Sequence, residues 1–551
     1  MKFFFILLFS SLSFCVNGQA AENNNKDLWP ISDFFNNSTI SMCKTLIKEI
    51  YQEDLPVLPV SVQVTNDLCK EEKRFLRNRL SIIQKNLKEH FAIESPLRIG
   101  FCCSGGGNRA MIGTLGFLTG AAKANILDST LYIAGLSGST WLISQLCFLA
   151  ATSYKQKSFE NILEDIKKTY IEMLHDTSML HLNGIYFPPL ISFESTDDVC
   201  IEVAKRFAYE QPMSLVNLFG FLVGDYALKL LGNDRLSEKW SRIFFEVQKG
   251  LAPLPLCAAI FEKTKSKYAW FEMSPLQCGS AELGYLPVNY LGSYFNEGSL
   301  DEQKIYPEYP LSFYLGMYGS AFAATIRDIA KIQKEQKRSI TLLKNNNFAF
   351  SGLPEKNILN NHSIQNLIHM TIKDLMISRN ALTFAQFPNF SKGLESSVLK
   401  DQEMIGLFDA GIAFDIPLPL LVDRQERNLD LIFLYGSFPG KKSVLDDLTR
   451  YCFSKKIPFP DTSMIASEDL AVNDMTVLND PRTFDYDATL ATYIYFPTNG
   501  IDLYSYPYIT LNFKYLPENI HLLAQKTEQL FLNNLDQIID ILKLISKKRY
   551  G

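Results

Sequence analysis

Apolar runs that stop at clusters of small residues, each followed by a stretch of helical periodicity, organise this chain. From Leu97 to Cys103 a short apolar run ends in Ser104-Gly105-Gly106-Gly107, and Ala110 to Ala122 then reads as a helix. The pattern repeats at once: Thr130 to Leu136 predicts a strand, Gly135 to Ser139 a tight turn, and Thr140 to Thr152 an apolar helix. Ser129 to Tyr154 carry no charge over 26 positions, which on hydropathy alone would suit a membrane span. The mid-run glycines, the β-rich first third and the helix-forming last half indicate a buried strand followed by a core helix instead. Two such units in succession predict an α/β core with a parallel sheet. Further helices are expected at Asp67–His90, Phe159–Leu174, Ala321–Gln336 and Ile520–Lys548, and strands at Leu429–Tyr435 and Thr492–Phe496.

The flanks differ in character. Lys2, an uncharged apolar run from Phe3 to Val16 (14 residues) and small residues before Ala21 predict an export signal cleaved after Ala20, hence a secreted protein. Residues 21–65, polar and punctuated by Pro30, Pro56 and Pro59, read as an N-terminal extension.

Composition narrows the function. Of 551 residues 47% are hydrophobic, enough for a large core, and 54 basic against 59 acidic residues leave no basic footprint for nucleic acid. Ten cysteines without Cys-x-x-Cys or other regular spacing argue against a zinc site and a dense disulfide framework, leaving room for one or two bridges. Asn36, Asn37, Asn361 and Asn389 each begin an Asn-x-Ser/Thr triplet.

Candidate chemistry gathers at the two glycine turns. Gly135-Leu136-Ser137-Gly138-Ser139 places a serine between small residues where a strand turns sharply into a helix, a device that exposes a hydroxyl above the sheet. The turn at Gly106 and Gly107 lies on what should be the neighbouring strand, and its N–H groups open a helix, suiting an oxyanion or a phosphate. Arg109, 28 positions before Ser137, can add a bidentate contact to a phosphate. None of the six histidines follows a strand in a small-residue turn, so a base is sought among carboxylates. Asp409 in Gly406-Leu407-Phe408-Asp409-Ala410-Gly411 ends an apolar stretch and would gain basicity by burial.

SGGGNRAM (104–111), YIAGLSGSTW (132–141) and FDAGIAFDIPLPLLV (408–422) resemble the catalytic domain of group IV cytosolic phospholipase A2 and, more distantly, fungal lysophospholipase B, within the patatin-like hydrolases. LCKEEKRFL (68–76), WFEMSPLQCGSAELG (270–284), GMYGSAF (316–322) and FKYLPENIHLLAQKTEQLF (513–531) extend the resemblance over roughly residues 66–548. It implies a layered α/β/α core with a mainly parallel sheet, in a catalytic domain spanning 66–551. It implies Ser137 as nucleophile, Asp409 as its partner in a dyad, Gly106 and Gly107 as oxyanion hole, and Arg109 on the lipid phosphate.

The expected activity is hydrolysis of fatty acyl esters in phospholipids or lysophospholipids at a membrane or micelle surface, through an acyl-enzyme and without a metal or other cofactor. The alternatives are a lipid transacylase and a catalytically inert lipid-binding protein of the same fold. No calcium-binding C2-like domain is expected, because residues 21–65 are too few for one. About 86 residues (323–408) are available for the family's cap and lid, which predicts a reduced insertion. Within it Phe384, Phe387 and Phe390 are candidates for dipping into lipid or for packing under the cap, and Lys547-Lys548-Arg549 for meeting anionic headgroups or the helix dipole.

Overall fold

A computed structural model describes residues 60–321 and 384–551, apart from 154–156, 176–180, 183–184, 187–195, 265–266 and 511, together with scattered positions between 41 and 56. The expected helix Ala321–Gln336 beyond its first residue, His181's side chain and Asn36, Asn37 and Asn361 fall outside what is described.

Helix α1 (Lys70–Phe91) starts where the Cys69 thiol accepts the Glu72 N–H, and it buries Phe75, Ile83 and Leu87 along one face. Its Arg79 donates to the carbonyls of Leu127, Asp128 and Thr130 before one strand and of Gly250 and Leu251 before another, pinning their amino ends. The predicted pairs follow in order: β1 (Ile99–Cys103), α2 (Gly107–Lys123), β2 (Tyr132–Leu136) and α3 (Gly138–Ser153). The uncharged stretch is thus a buried strand and a buried helix, and among the described residues no helix is long and apolar enough to cross a membrane.

After α4 (Phe159–Leu174), α5 (Thr196–Ala208) and α6 (Leu215–Ala227) comes β3 (Leu254–Thr264), the longest strand of the sheet. Antiparallel β4 (Lys267–Met273), β5 (Cys278–Ser280) and β6 (Gly284–Leu286) lead to α7 (Leu311–Tyr318). The chain continues through β7 (Ala385–Pro388), β8 (Met404–Asp409), β9 (Leu431–Gly436), α8 (Lys442–Lys455), β10 (Thr476–Leu478), β11 (Thr492–Pro497), α9 (Pro517–Leu532) and α10 (Leu535–Tyr550).

One 11-stranded sheet results, in the order β10-β11-β9-β1-β2-β3-β4-β5-β6, with β8 joined to β3 and β7 to β8. The central strands β11, β9, β1, β2 and β3 are parallel, as the repeated strand–turn–helix pattern predicts, and the flanking strands run antiparallel. The fold is a layered α/β fold of the expected class.

Several local expectations change. The C-terminal helix is two helices, broken at Asn533-Asn534, where the Asn534 side chain turns back to donate to the Leu530 carbonyl. Phe387 and Phe390 do not meet lipid: Phe387 packs against Tyr309 and Phe313, Phe390 against Phe271, and both are buried. Asn389 is buried with its amide on the carbonyls of Leu399 and Gln402, which leaves no room for a glycan. Lys548 donates to the Pro481 carbonyl and Arg549 pairs with Asp430, so these charges serve the fold. The seven cysteines whose side chains are described are buried free thiols.

Candidate active site

The sheet brings the two halves of the site together along one edge of β3. Strand β2 runs parallel to β3 and ends with Leu136 opposite Ala258, while β8 runs antiparallel and ends with Asp409 opposite Ala259. The two strands therefore approach head to head and stop at consecutive positions of the same edge. Ser137 follows Leu136 directly, so the strand ends carry serine and carboxylate to one point.

At that point Ser137 adopts φ 51°, a left-handed conformation uncommon for a residue with a Cβ and worth about 1 kcal/mol of strain or more. Its Oγ donates to Asp409 Oδ2 at 2.9 Å. Both residues are nearly enclosed, Ser137 at 4% exposure and Asp409 at 1%. Asp409 Oδ1 accepts the Gly411 N–H at 2.8 Å, and the Asp409 N–H donates to Ser320 Oγ at 2.8 Å. Burial pushes the Asp409 pKa up to about 7, opposed by the hydrogen bonds from Gly411, Ser137 and the Ala321 N–H. A carboxylate so placed is far more basic than one in water.

Facing the serine is the glycine turn. Gly106 and Gly107 have φ 137° and 61°, which L side chains rarely adopt, and they open α2, whose first N–H groups have no acceptor within the helix. A Cβ on Gly138 would lie 2.0 Å from the Gly107 carbonyl oxygen, so glycine is what lets the two turns touch. Ser437, just beyond β9, donates through its hydroxyl to the Gly105 carbonyl, while its N–H donates to Ser104 Oγ. Ser139 Oγ donates to the Ser104 carbonyl at 2.5 Å from the other side. Two helix amino termini, of α2 and α3, thus converge where negative charge would be favoured.

Arg109, in the first turn of α2, is buried at 6% exposure. Its Nη1 donates to the carbonyls of Leu503 (2.8 Å) and Tyr508 (3.3 Å), and its buried Nε has no hydrogen-bond partner among the described residues. A Cβ on Gly106 would lie 2.8 Å from Arg109 Nη2, which puts the guanidinium against the glycine turn. Burial pulls its pKa below the ordinary arginine range, with Tyr515, Tyr435 and Tyr504 opposing. Among the described residues no carboxylate pairs with it.

All five residues singled out from sequence therefore lie together: Ser137, Asp409, Gly106, Gly107 and Arg109. His90, His175 and His521 are exposed. Ser320, Ala321, Gly411 and Ser437 complete the surroundings without having been selected. Gly319-Ser320-Ala321 lie within the GMYGSAF stretch, so a signal was present, but nothing in that motif says which residue it would meet.

A serine at a strand-to-helix elbow, hydrogen-bonded to a buried carboxylate and faced by a glycine-built helix start, defines the arrangement of a serine–carboxylate site on an α/β sheet. The chain belongs to the lysophospholipase catalytic domain family, whose model matches residues 99–439, within the patatin-like and group IV phospholipase A2 group. It is 23% identical to human cytosolic phospholipase A2 epsilon over 560 aligned positions, covering 89% of this chain and 61% of the relative, with the same figures for the mouse protein. The chain thus spans 61% of the length of these curated relatives. The structure of human GIVD cytosolic phospholipase A2 superposes with a TM-score of 0.69 at 18% identity, covering 89% of this chain and 69% of that one. A second structure of that protein, in complex with methyl gamma-linolenyl fluorophosphonate, gives 0.61 at 18% identity, with 91% and 67% covered.

These relatives correct one reading. Both curated proteins are cytosolic phospholipases by name, which contradicts residues 1–20 as an export signal and the protein as secreted. That reading rested on the Lys2 start, the apolar run and the small residues before Ala21, a local pattern of the sequence, and it is withdrawn.

Proposed function

We propose that the protein is a phospholipase A2/lysophospholipase that hydrolyses fatty acyl esters of glycerophospholipids through Ser137 and Asp409. The observation that carries this reading is the 2.9 Å hydrogen bond from Ser137 Oγ to the buried Asp409 carboxylate at the elbow. Family membership supports the reaction class, and the fluorophosphonate complex of the GIVD enzyme supports a lipid-like acyl chain as the substrate portion.

In this mechanism Ser137 Oγ attacks the ester carbonyl carbon while its proton passes to Asp409 Oδ2. The tetrahedral oxyanion is received by the N–H groups of Gly106 and Gly107. Collapse breaks the ester C–O bond, Asp409 returns the proton to the departing alcohol, and an acyl-serine remains. Water repeats the sequence, giving its proton to Asp409 and releasing the fatty acid with Ser137 restored. Arg109, buried beside the glycine turn and unpaired with any carboxylate among the described residues, would hold the substrate phosphate. The catalytic unit is proposed to run from 66 to 551, with the insertion at about 323–408 interrupting it. Burial of Ile520, Leu523 and Phe531 of α9 supports including the C-terminal helices.

Fatty-acid release from phosphatidylcholine vesicles and from lysophosphatidylcholine, with a calcium chelator present, tests the proposal. Wild-type protein is expected to release fatty acid, and Ser137→Ala and Asp409→Asn to fall by at least about a hundredfold. Full activity in Ser137→Ala would remove the assignment.

A further inference from the structure

Helix α7 is buried, and it and the three residues after it touch the serine helix on one side and the carboxylate on the other, through two independent contacts. On one side, Trp141, four residues beyond Ser137 on α3, donates its indole N–H to the Leu315 carbonyl at 3.0 Å. Its ring lies against Gly319, where a Cβ would come within 2.5 Å of Trp141 Cζ2, so only glycine admits this contact. On the other side, the fully buried Ser320 accepts the Asp409 N–H, and the Ala321 N–H donates to the Asp409 carboxylate. The sheet by itself holds this end of β8 weakly, since β8 pairs with β3 only at Phe408 and Asp409.

We propose that the carboxyl end of α7 is a bracket that fixes the spacing between Ser137 and Asp409, with Ser320 as its positioning residue and Trp141 as its anchor on the serine helix. This rests on reading Ser137 and Asp409 as the reacting pair. Ser320 acts through Asp409: by holding that residue's main chain, it keeps the carboxylate aligned with the Gly411 and Ala321 N–H groups, which favour the charged form. A loosened bracket both lengthens the proton-transfer path and makes Asp409 harder to ionise.

The test compares Ser320→Ala with wild type, Ser137→Ala and Asp409→Asn on a soluble short-chain ester across pH. Ser320→Ala is expected to lose about tenfold or more in kcat with little change in KM. Its acidic limb should move to higher pH, because the base now requires a higher pH to lose its proton. Ser320→Thr, which restores the acceptor, is expected to recover most of the rate and the limb. Wild-type kcat in Ser320→Ala, or a rate loss with an unmoved acidic limb, would overturn the proposal. If Ser320→Ala does not fold, Trp141→Phe, which keeps an aromatic ring but removes the indole N–H and the contact with Gly319, is expected to show the same displacement to a smaller degree, and unchanged parameters there would overturn it. Full activity in Ser137→Ala or Asp409→Asn would instead remove the dyad reading. Inactive dyad variants beside a wild-type Ser320→Ala profile remove only the bracket.

Discussion

Two buried arginine sites flank the sheet, Arg109 in the first turn of α2 and Arg427 in a turn before β9, and are built on opposite principles. Arg427 is fully enclosed and donates to Glu72 at 3.0 Å and to both oxygens of Glu272 at 2.6 and 2.7 Å. Arg424 stands beside the same two carboxylates, and Tyr132 donates its hydroxyl to Glu72. Burial alone would push the Glu72 carboxyl up, yet Arg427 and Arg424 hold it below the ordinary carboxylate range. Arg109, almost as deeply buried, has main-chain carbonyls and a tyrosine surround but, among the described residues, no carboxylate. A buried cation that folding has neutralised is a fastener. One that folding has left without a counter-charge retains an electrostatic demand that an incoming anion can meet.

This contrast breaks down if the two arginines respond alike to removal. Arg427→Met leaves Glu72 and Glu272 buried with half their counter-charge gone, and is expected to destabilise the protein by about 3–5 kcal/mol in chemical denaturation. Arg109→Met strands no carboxylate among the described residues, only the Leu503 and Tyr508 carbonyls, so it should destabilise clearly less than Arg427→Met. Its rate on phosphatidylcholine, however, should fall about tenfold to hundredfold, the worth of one charge-assisted contact, while an uncharged short ester is turned over nearly as before. Equal loss on both substrates would deny Arg109 a role toward phosphate.

The Asp409 carboxyl extends the comparison to a buried acid that, among the described residues, has no cation beside it. It keeps its proton up to about 7 in the folded protein against 3.8 as its ordinary value. The folded state therefore binds more protons between those limits, and its stability falls as pH rises through them. Asp409→Asn cannot ionise, so its Tm advantage over wild type should grow from about pH 4 to pH 8, and a constant difference would mean that the carboxylate is compensated after all. The smallest expected effect is a rise of a degree or two in wild-type Tm in millimolar inorganic phosphate, absent in Arg109→Met.

Much of the parallel half could be read from the chain. β1, α2, β2 and α3 fall within a few residues of the segments marked by their apolar runs and glycine turns, because each is a local unit whose punctuation is written next to it. The antiparallel half was less accessible. Nothing near Asp409 announces that β8 will run against β3, since that pairing joins positions about 150 apart and is decided by tertiary packing. Asp409 was found through its motif and its resemblance, whereas Ser320 and Ala321, which hold it, carry no chemical mark of their own. The aromatic cluster at 384–390 shows where the sequence left two outcomes open, lipid contact or packing, and tertiary structure decided between them. Phe387 and Phe390 are core residues: Phe387 in β7 packs on Phe313 of α7, and Phe390 just beyond β7 packs on Phe271 of β4.

The head-to-head ending of β2 and β8 on one edge of β3 makes the site an all-or-none object in evolution. Side chains alternate along a strand, so a one-residue slip of β8 would turn Asp409 to the opposite face and bring a neighbour in its place. The distance between serine and carboxylate is therefore counted in whole residues. Substitutions can adjust the site's surroundings by degrees, but a single insertion or deletion between Met404 and Phe408 would leave a sheet that still folds around a pair that can no longer meet.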